Sequence, residues 1–200
     1  MRLIAILTVL ALLVPGCIGS KPAAPTRFYL LTPETYAAPL AAPAGPEAGR
    51  VVEIRSLELP QYLERPQMVT RKTGNQLDMA EYHQWAGNLR KNMIRVLTQN
   101  LGFLLSTPQV YSPPYHGQAD PDFRINVQVM AFEAGPLDKV VLTVQWQMTQ
   151  GKTRQLVASE LSTFEQPVKG GGMEDVAAAM SRALGDFCLT LARAAEDMRQ

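Results

Sequence analysis

The side chains able to do chemistry in this 200-residue chain are few and widely spaced. There are two cysteines, Cys17 and Cys188, and two histidines, His83 and His116. Neither histidine has a cysteine or acidic residue at a metal-ligand spacing, so no metal site is expected. No serine lies in a G-x-S-x-G elbow, and Gly170-Gly171-Gly172 lacks the lysine and hydroxyl that a phosphate-binding loop needs. Glu174 and Asp175 fall at an expected helix start, where the helix dipole accounts for two adjacent carboxylates. The residues therefore predict no catalytic group and no cofactor. Cys188, in ALGDFCLTLARAA, reads as a small buried hydrophobe on a helix. Cys17 is different. It follows an apolar run and precedes a proline-alanine stretch, in LTVLALLVPGCIGSKPAAP, where a thiol is positioned to accept an acyl group.

The segments around Cys17 suit that chemistry. Met1-Arg2 is a minimal basic start, and Leu3 to Val14 is apolar apart from Thr8. That run is shorter than the roughly 20 residues needed to span a bilayer of about 30 Å, and it fits a secretory signal. Val14-Pro15-Gly16-Cys17 resembles the bacterial lipobox, with a branched residue at −3 and a small residue before the cysteine. Residues 1–16 are thus expected to be a signal peptide, and 17–26 a lipidated N-terminus and tether stiffened by Pro22 and Pro25. Residues 27–200 are expected to form a single domain. An ordinary signal peptide with a chance cysteine is the alternative. A diacyl anchor holds firmly, since each buried methylene contributes about 0.8 kcal/mol. By resemblance to enterobacterial lipoproteins, Ile18 in place of aspartate implies the outer membrane, at its periplasmic face. Charge is nearly balanced, 19 Lys+Arg against 18 Asp+Glu, and loss of Arg2 with the signal would equalise it. Nucleic acid is therefore not expected as a partner.

The elements follow from periodicity. Arg27 to Thr32 reads as a short strand, and Glu34 to Gly49, rich in proline and alanine, as a surface loop or linker. Arg50 to Pro60 is a strand, and Gln67 to Lys72 and Gln76 to Tyr82 form a hairpin about Thr73-Gly74-Asn75. From Trp85 to Gly102 the period becomes helical, with Trp85, Leu89, Met93, Val96, Leu97 and Leu101 on one stripe and Gly102 at the C-terminus. Gln109 to Tyr111 is a short strand. Phe123, Ile125, Val127, Val129 and Ala131 then alternate with polar residues, as do Val140 to Met148. With Arg154 to Gln166 they predict an antiparallel meander. A last helix, Met173 to Met198, has Val176, Met180, Leu184, Phe187, Leu191 and Ala195 on its apolar face. The fold class is α+β, a mostly antiparallel sheet with two amphipathic helices packed on one face.

RFYLL behind the lipobox, VVEIRSLELPQYLERPQMVTR (Val51 to Arg71), Trp85-Ala86 opening a helix and the amphipathic C-terminal helix together resemble the ABC-type transport auxiliary lipoprotein family, PqiC-like. The most specific stretch is LPQYLERPQMVTR, Leu59 to Arg71. One departure is Gly87-Asn88, where the family often has an acidic residue and then proline; it should alter only the helix start. The resemblance implies an outer-membrane, non-enzymatic auxiliary subunit whose partner is an MCE-domain protein of an ABC transport system, moving phospholipid or other apolar cargo between inner and outer membranes. It is compatible with homo-oligomers, which would match a symmetric MCE ring. The alternative is an assembly or scaffold lipoprotein that binds a β-barrel or the cell wall.

Within the specific stretch, Tyr62, Arg65, Gln67, Met68 and Arg71 are of types enriched at interfaces and form a candidate partner-binding surface. A structural role competes with it, in which Tyr62 packs over a strand end while Arg65 and Arg71 satisfy carboxylates such as Glu58 or Glu64. The methionines of the last helix, Met173, Met180 and Met198, could line a lipid groove, but core packing explains the same stripe.

Overall fold

Alternating apolar residues commit several stretches of this chain to strands, and the computed structural model assembles eight strands into one sheet. It describes residues 24–41, 50–114, 120–136 and 138–197. The expected signal peptide, Cys17, His116 and Met198 lie outside the described residues. In chain order the elements are β1 (Arg27–Tyr29), β2 (Val52–Glu58), a 3-10 turn (Gln61–Leu63), β3 (Gln67–Thr73), β4 (Gln76–Trp85) and α1 (Leu89–Leu104). There follow β5 (Val110–Tyr111), β6 (Phe123–Gly135), β7 (Lys139–Gln150), β8 (Leu156–Pro167) and α2 (Met173–Asp197).

β6 is the spine of the sheet. Along one edge it pairs antiparallel with β7 from Phe123↔Gln150 to Gly135↔Lys139, and β7 pairs antiparallel with β8, giving the expected meander. The other edge is shared. β2 lies parallel to its first half, from Val52↔Phe123 to Glu58↔Gln128, and β3 meets its far end at Thr70↔Ala134. Each branch ends in a short parallel strand, β5 beside β2 and β1 beside β4. The long ladders are antiparallel and the short ones parallel, so the α+β sheet is mixed. One apolar cluster runs from the sheet into both helices, and its largest fully buried side chains include Trp146, Phe132 and Phe187.

Three details depart from the expected pattern. The alternation in β6 breaks at a register shift between Val129 and Ala131, so Phe132 and Ala134, in place of Ala131, point into the core. An extra residue in one strand reverses the parity of everything beyond it. Trp85 ends β4, its backbone N–H donating to the Pro66 carbonyl, and is not part of α1. Gly102 lies inside α1, which continues to Leu104; a Cβ at Gly102 would stand 3.1 Å from the Thr107 carbonyl oxygen, so glycine serves the close return of the chain. The helix is capped by Asn88, whose side chain accepts the Lys91 N–H at 3.0 Å.

The proline-rich stretch behind β1 is tied down as far as Ala41. Thr32 N–H donates to Ser181 Oγ, Glu34 N–H to Asn100 Oδ1 and the Tyr36 hydroxyl to the Gly185 carbonyl, so residues 30–41 strap both helices. The strap crosses α2 so closely that a Cβ on Gly185 would lie 2.4 Å from Glu34 Cγ. Beneath it, Asn100 Nδ2 donates to the fully buried Cys188 Sγ at 3.5 Å.

The parity reversal has a direct consequence. Phe132→Ala should destabilise the fold by about 3–5 kcal/mol in denaturant unfolding, whereas Ala131→Ser should change it by less than about 1 kcal/mol. Equal effects would remove the bulge from the account. Burial pushes the Cys188 thiol up to about 12 from its ordinary 9, so between those pH values the unfolded chain loses a proton that the folded chain keeps. Stability contributed by the neutral thiol is present below pH 9 and should fall by about 1.4 kcal/mol per pH unit above it. Tyr36 and Tyr62, also raised by burial, add to the alkaline loss, so the difference between wild type and Cys188→Ala isolates the thiol. Parallel pH profiles for the two proteins would overturn the assignment.

Candidate functional site

Between β2 and β3 the chain must leave the sheet and rejoin it on the same edge of β6. β6 advances only from Gln128 to Ala134 while the neighbouring chain runs from Glu58 to Thr70. The surplus is folded into the turn LPQYLERP, opened by Pro60 and closed by the Leu63 N–H to Pro60 carbonyl bond at 2.9 Å. Along this gap β6 has no continuous strand partner, and its polar groups need other partners.

Glu133 supplies them. Its side chain is 3% exposed and its carboxylate accepts three hydrogen bonds and forms an ion pair. Oε1 accepts from Arg71 Nε at 2.8 Å, with Arg71 Nη2 in ion-pair contact at 2.6 Å. Oε2 accepts from the Tyr62 hydroxyl at 2.8 Å and the Phe132 backbone N–H at 2.9 Å. Both oxygens are thus engaged. Arg71 also donates to the Gly74 carbonyl at 2.9 Å, joining the turn to the tip of the β3–β4 hairpin. Hydrogen bonding to Glu133 raises the Arg71 guanidinium further, and burial together with the same carboxylate pushes the Tyr62 phenol well above its ordinary range. Engaged through both oxygens with a guanidinium, a phenol and a backbone N–H, the group fixes the shape of the turn.

The structure brings Tyr62 and Arg71 together through Glu133, and the partner of Arg71 is neither Glu58 nor Glu64 as the sequence suggested. A residue within a few positions in the chain is not close in space when a turn carries the strands apart. Arg65 pairs with no carboxylate: Nη1 lies 2.6 Å from Met79 Sδ, at the surface. Its Nε is buried without a partner among the described residues. Gln67 begins β3 opposite Gln84 and is half-buried, whereas Met68 is 1% exposed and belongs to the core. Glu133 itself escaped the sequence reading. Its signal is a single carboxylate inside the apolar stretch VMAFEAG, where only a paired charge can be buried.

Two open clefts meet at the start of α2. One, about 410 Å³, lies between Arg71 and His83 on the hairpin and Gly170 to Met173. The other, about 680 Å³, runs along β1 past Phe28 and Leu30 to Met173 and Ala177. His83 of the first lies against Tyr29 of the second, its Nδ1 2.7 Å from the Tyr29 hydroxyl. Neither has a metal-type cluster, since no group of three or more His, Cys, Asp or Glu that could hold an ion occurs among the described residues. Met180 of the supposed lipid groove is in the core, and Met173 packs against its edge. Among the described residues no helix is long and apolar enough to cross a membrane.

Residues 29–192 match the family described as ABC-type transport auxiliary lipoprotein component. Among solved structures, a crystal structure of an uncharacterized protein is 20% identical, covers 85% of this chain and 98% of its own, and superposes with a TM-score of 0.69. A Xanthomonas campestris protein of the DUF330 family is 16% identical, covers 84% of this chain and 93% of its own, with a TM-score of 0.67. Both share the fold. No curated protein matches the sequence.

The buried, paired carboxylate makes a measurable prediction. Arg71→Met should destabilise the domain by about 3 kcal/mol, the low end for an unpaired buried charge because the guanidinium is partly exposed. Tyr62→Phe should lose about 1.5 kcal/mol. In urea unfolding, Arg71→Met with Glu133→Leu should lose less than the two single variants summed. Strict additivity would show that the two side chains do not act on one another.

Proposed function

The chain belongs to the family of ABC-type transport auxiliary lipoprotein components, and from that premise we propose that it is a non-enzymatic outer-membrane subunit docking on an MCE-domain protein. Acyl chains on Cys17 hold it to the periplasmic face, and residues 18–26 form the tether. The observation that carries this reading is the family match beginning twelve residues behind a cysteine set in a lipobox-like sequence. The transport system it serves moves phospholipid or another apolar cargo between the membranes.

The interior supports docking over carrying. Trp146, Phe132, Phe187, Met93 and Leu184 fill the space between sheet and helices, so the apolar faces of both helices are spent on the core. The rigid turn is the docking surface in this proposal. Arg65 and Gln67 are its accessible polar contacts, Tyr62 and Arg71 hold its shape through Glu133, and Met68 supports it from beneath. Such a preformed surface loses little conformational freedom on binding.

Mass spectrometry of the mature protein from envelopes should find an N-terminal peptide that begins at Cys17 and carries diacylglycerol; an unmodified Cys17 would overturn the anchor. Arg65→Glu combined with Gln67→Glu should reduce co-purification with the MCE-domain protein by about tenfold or more, with an unchanged circular dichroism spectrum. Full retention would remove the turn from the interface. Recovery of a β-barrel or cell-wall component in place of an MCE-domain protein would overturn the partner.

A further inference from the structure

The sheet ends in three edges of unequal length. β5 has 2 residues and β1 has 3, short enough to offer little to another chain. β8 has 12 residues and pairs with β7 alone. Along an edge strand alternate residues turn their backbone N–H and C=O groups away from the sheet, so β8 presents a long ladder with no strand opposite it among the described residues. Its register with β7 is unbroken from Ala158 to Pro167, and its only proline is the last residue. Neither proline nor a bulge interrupts its middle, where Glu160 is the one charged side chain.

Leu161, at 64%, is the most exposed large apolar side chain among the described residues. It stands opposite Gln145 of β7, which stands opposite Gln128 of β6, and its same-face neighbours along β8 are Ser159 and Thr163. It therefore has no apolar neighbour within its own sheet face.

We propose that β8 pairs with β8 of a second copy of this chain, antiparallel about a twofold axis through Leu161. An axis through a residue keeps each side chain on its own face, whereas a one-residue slip would oppose outward residues to inward ones. In this register Leu161 meets Leu161 of the second copy. Ser159 meets Thr163, and Ala158 meets Phe164, small against large. Glu160 meets Ser162, whose Oγ already accepts the Trp146 Nε1–H at 3.0 Å and so has its own proton free to donate to the carboxylate. Glu165 meets Val157. No carboxylate stands directly opposite another, an arrangement that would destabilise the pair; moving the axis to Glu160 would oppose that residue to itself. The result is one continuous sheet across two chains with both α2 helices on the same side. The pairing is independent of the acyl anchor and of the MCE partner, although two chains held on one surface would meet at a higher effective concentration.

The test uses the mature chain with Cys17→Ser, in which Cys188 is wholly buried. With Leu161→Cys added, copper-phenanthroline should give a disulfide-linked dimer about tenfold faster than with Leu156→Cys, an exposed position that faces Gln166 of the second copy and cannot reach its own counterpart. Leu161→Lys, which opposes two like charges, should leave a monomer by light scattering with an unchanged circular dichroism spectrum. Equal cross-linking at both positions would indicate random collision and overturn the register. A dimer that survives Leu161→Lys, or a chain that neither cross-links at 161 nor dimerises, would overturn the pairing.

Discussion

A carboxylate buried in a sheet must find donors, and the way Glu133 finds them organises this domain. Its three hydrogen bonds and one ion pair close a gap that the topology itself opens, because β2 and β3 share one edge of β6 and the chain between them cannot stay in the ladder. The Phe132 N–H, left without a strand partner there, is satisfied by the neighbouring side chain. Tyr62 and Arg71 reach the same group from the turn and from β3, so one charge joins three elements. The turn is therefore rigid for a reason that lies outside it, on a strand far along the chain.

The helix side is organised by contact and not by charge. Both amphipathic faces are buried on the sheet, and the strap of residues 30–41 lies across α1 and α2 through backbone N–H bonds to Ser181 and Asn100 and the Tyr36 hydroxyl bond to Gly185. Glycine at 185 permits the close crossing, and the buried Asn100 serves both the strap and Cys188. The consequence for function is geometric. Residues 24–26 lead into β1, which lines one cleft and pairs with the hairpin strand that carries His83 of the other, so the described chain begins at the open surface. The opposite flank is the long exposed edge of β8.

Much of this architecture was legible in the residues. The 3.6-residue spacing of Leu89, Met93, Val96 and Leu101, and of Val176, Met180, Leu184 and Phe187, marks two helices because burial along one stripe is what holds a helix to a sheet. Strict alternation from Val140 to Met148 marks β7 for the same reason at period two. The errors came where one backbone group outweighed the pattern. Trp85 fits the helical stripe, yet its N–H is committed to Pro66 and it stays in β4. Ala131 fits the alternation, yet the bulge after Val129 hands its place to Phe132.

The sequence by itself determined the classes of element, the α+β fold and the isolation of Cys17, because these depend on local periodicity and on which residue types stand next to one another. It also carried the family resemblance, concentrated in Leu59 to Arg71. Tertiary structure alone decided the partner of Arg71, the core position of Met68 and the open edge of β8. Each depends on which strands become neighbours, and strand order is set by contacts between residues far apart in the chain, for which the local pattern has no signal.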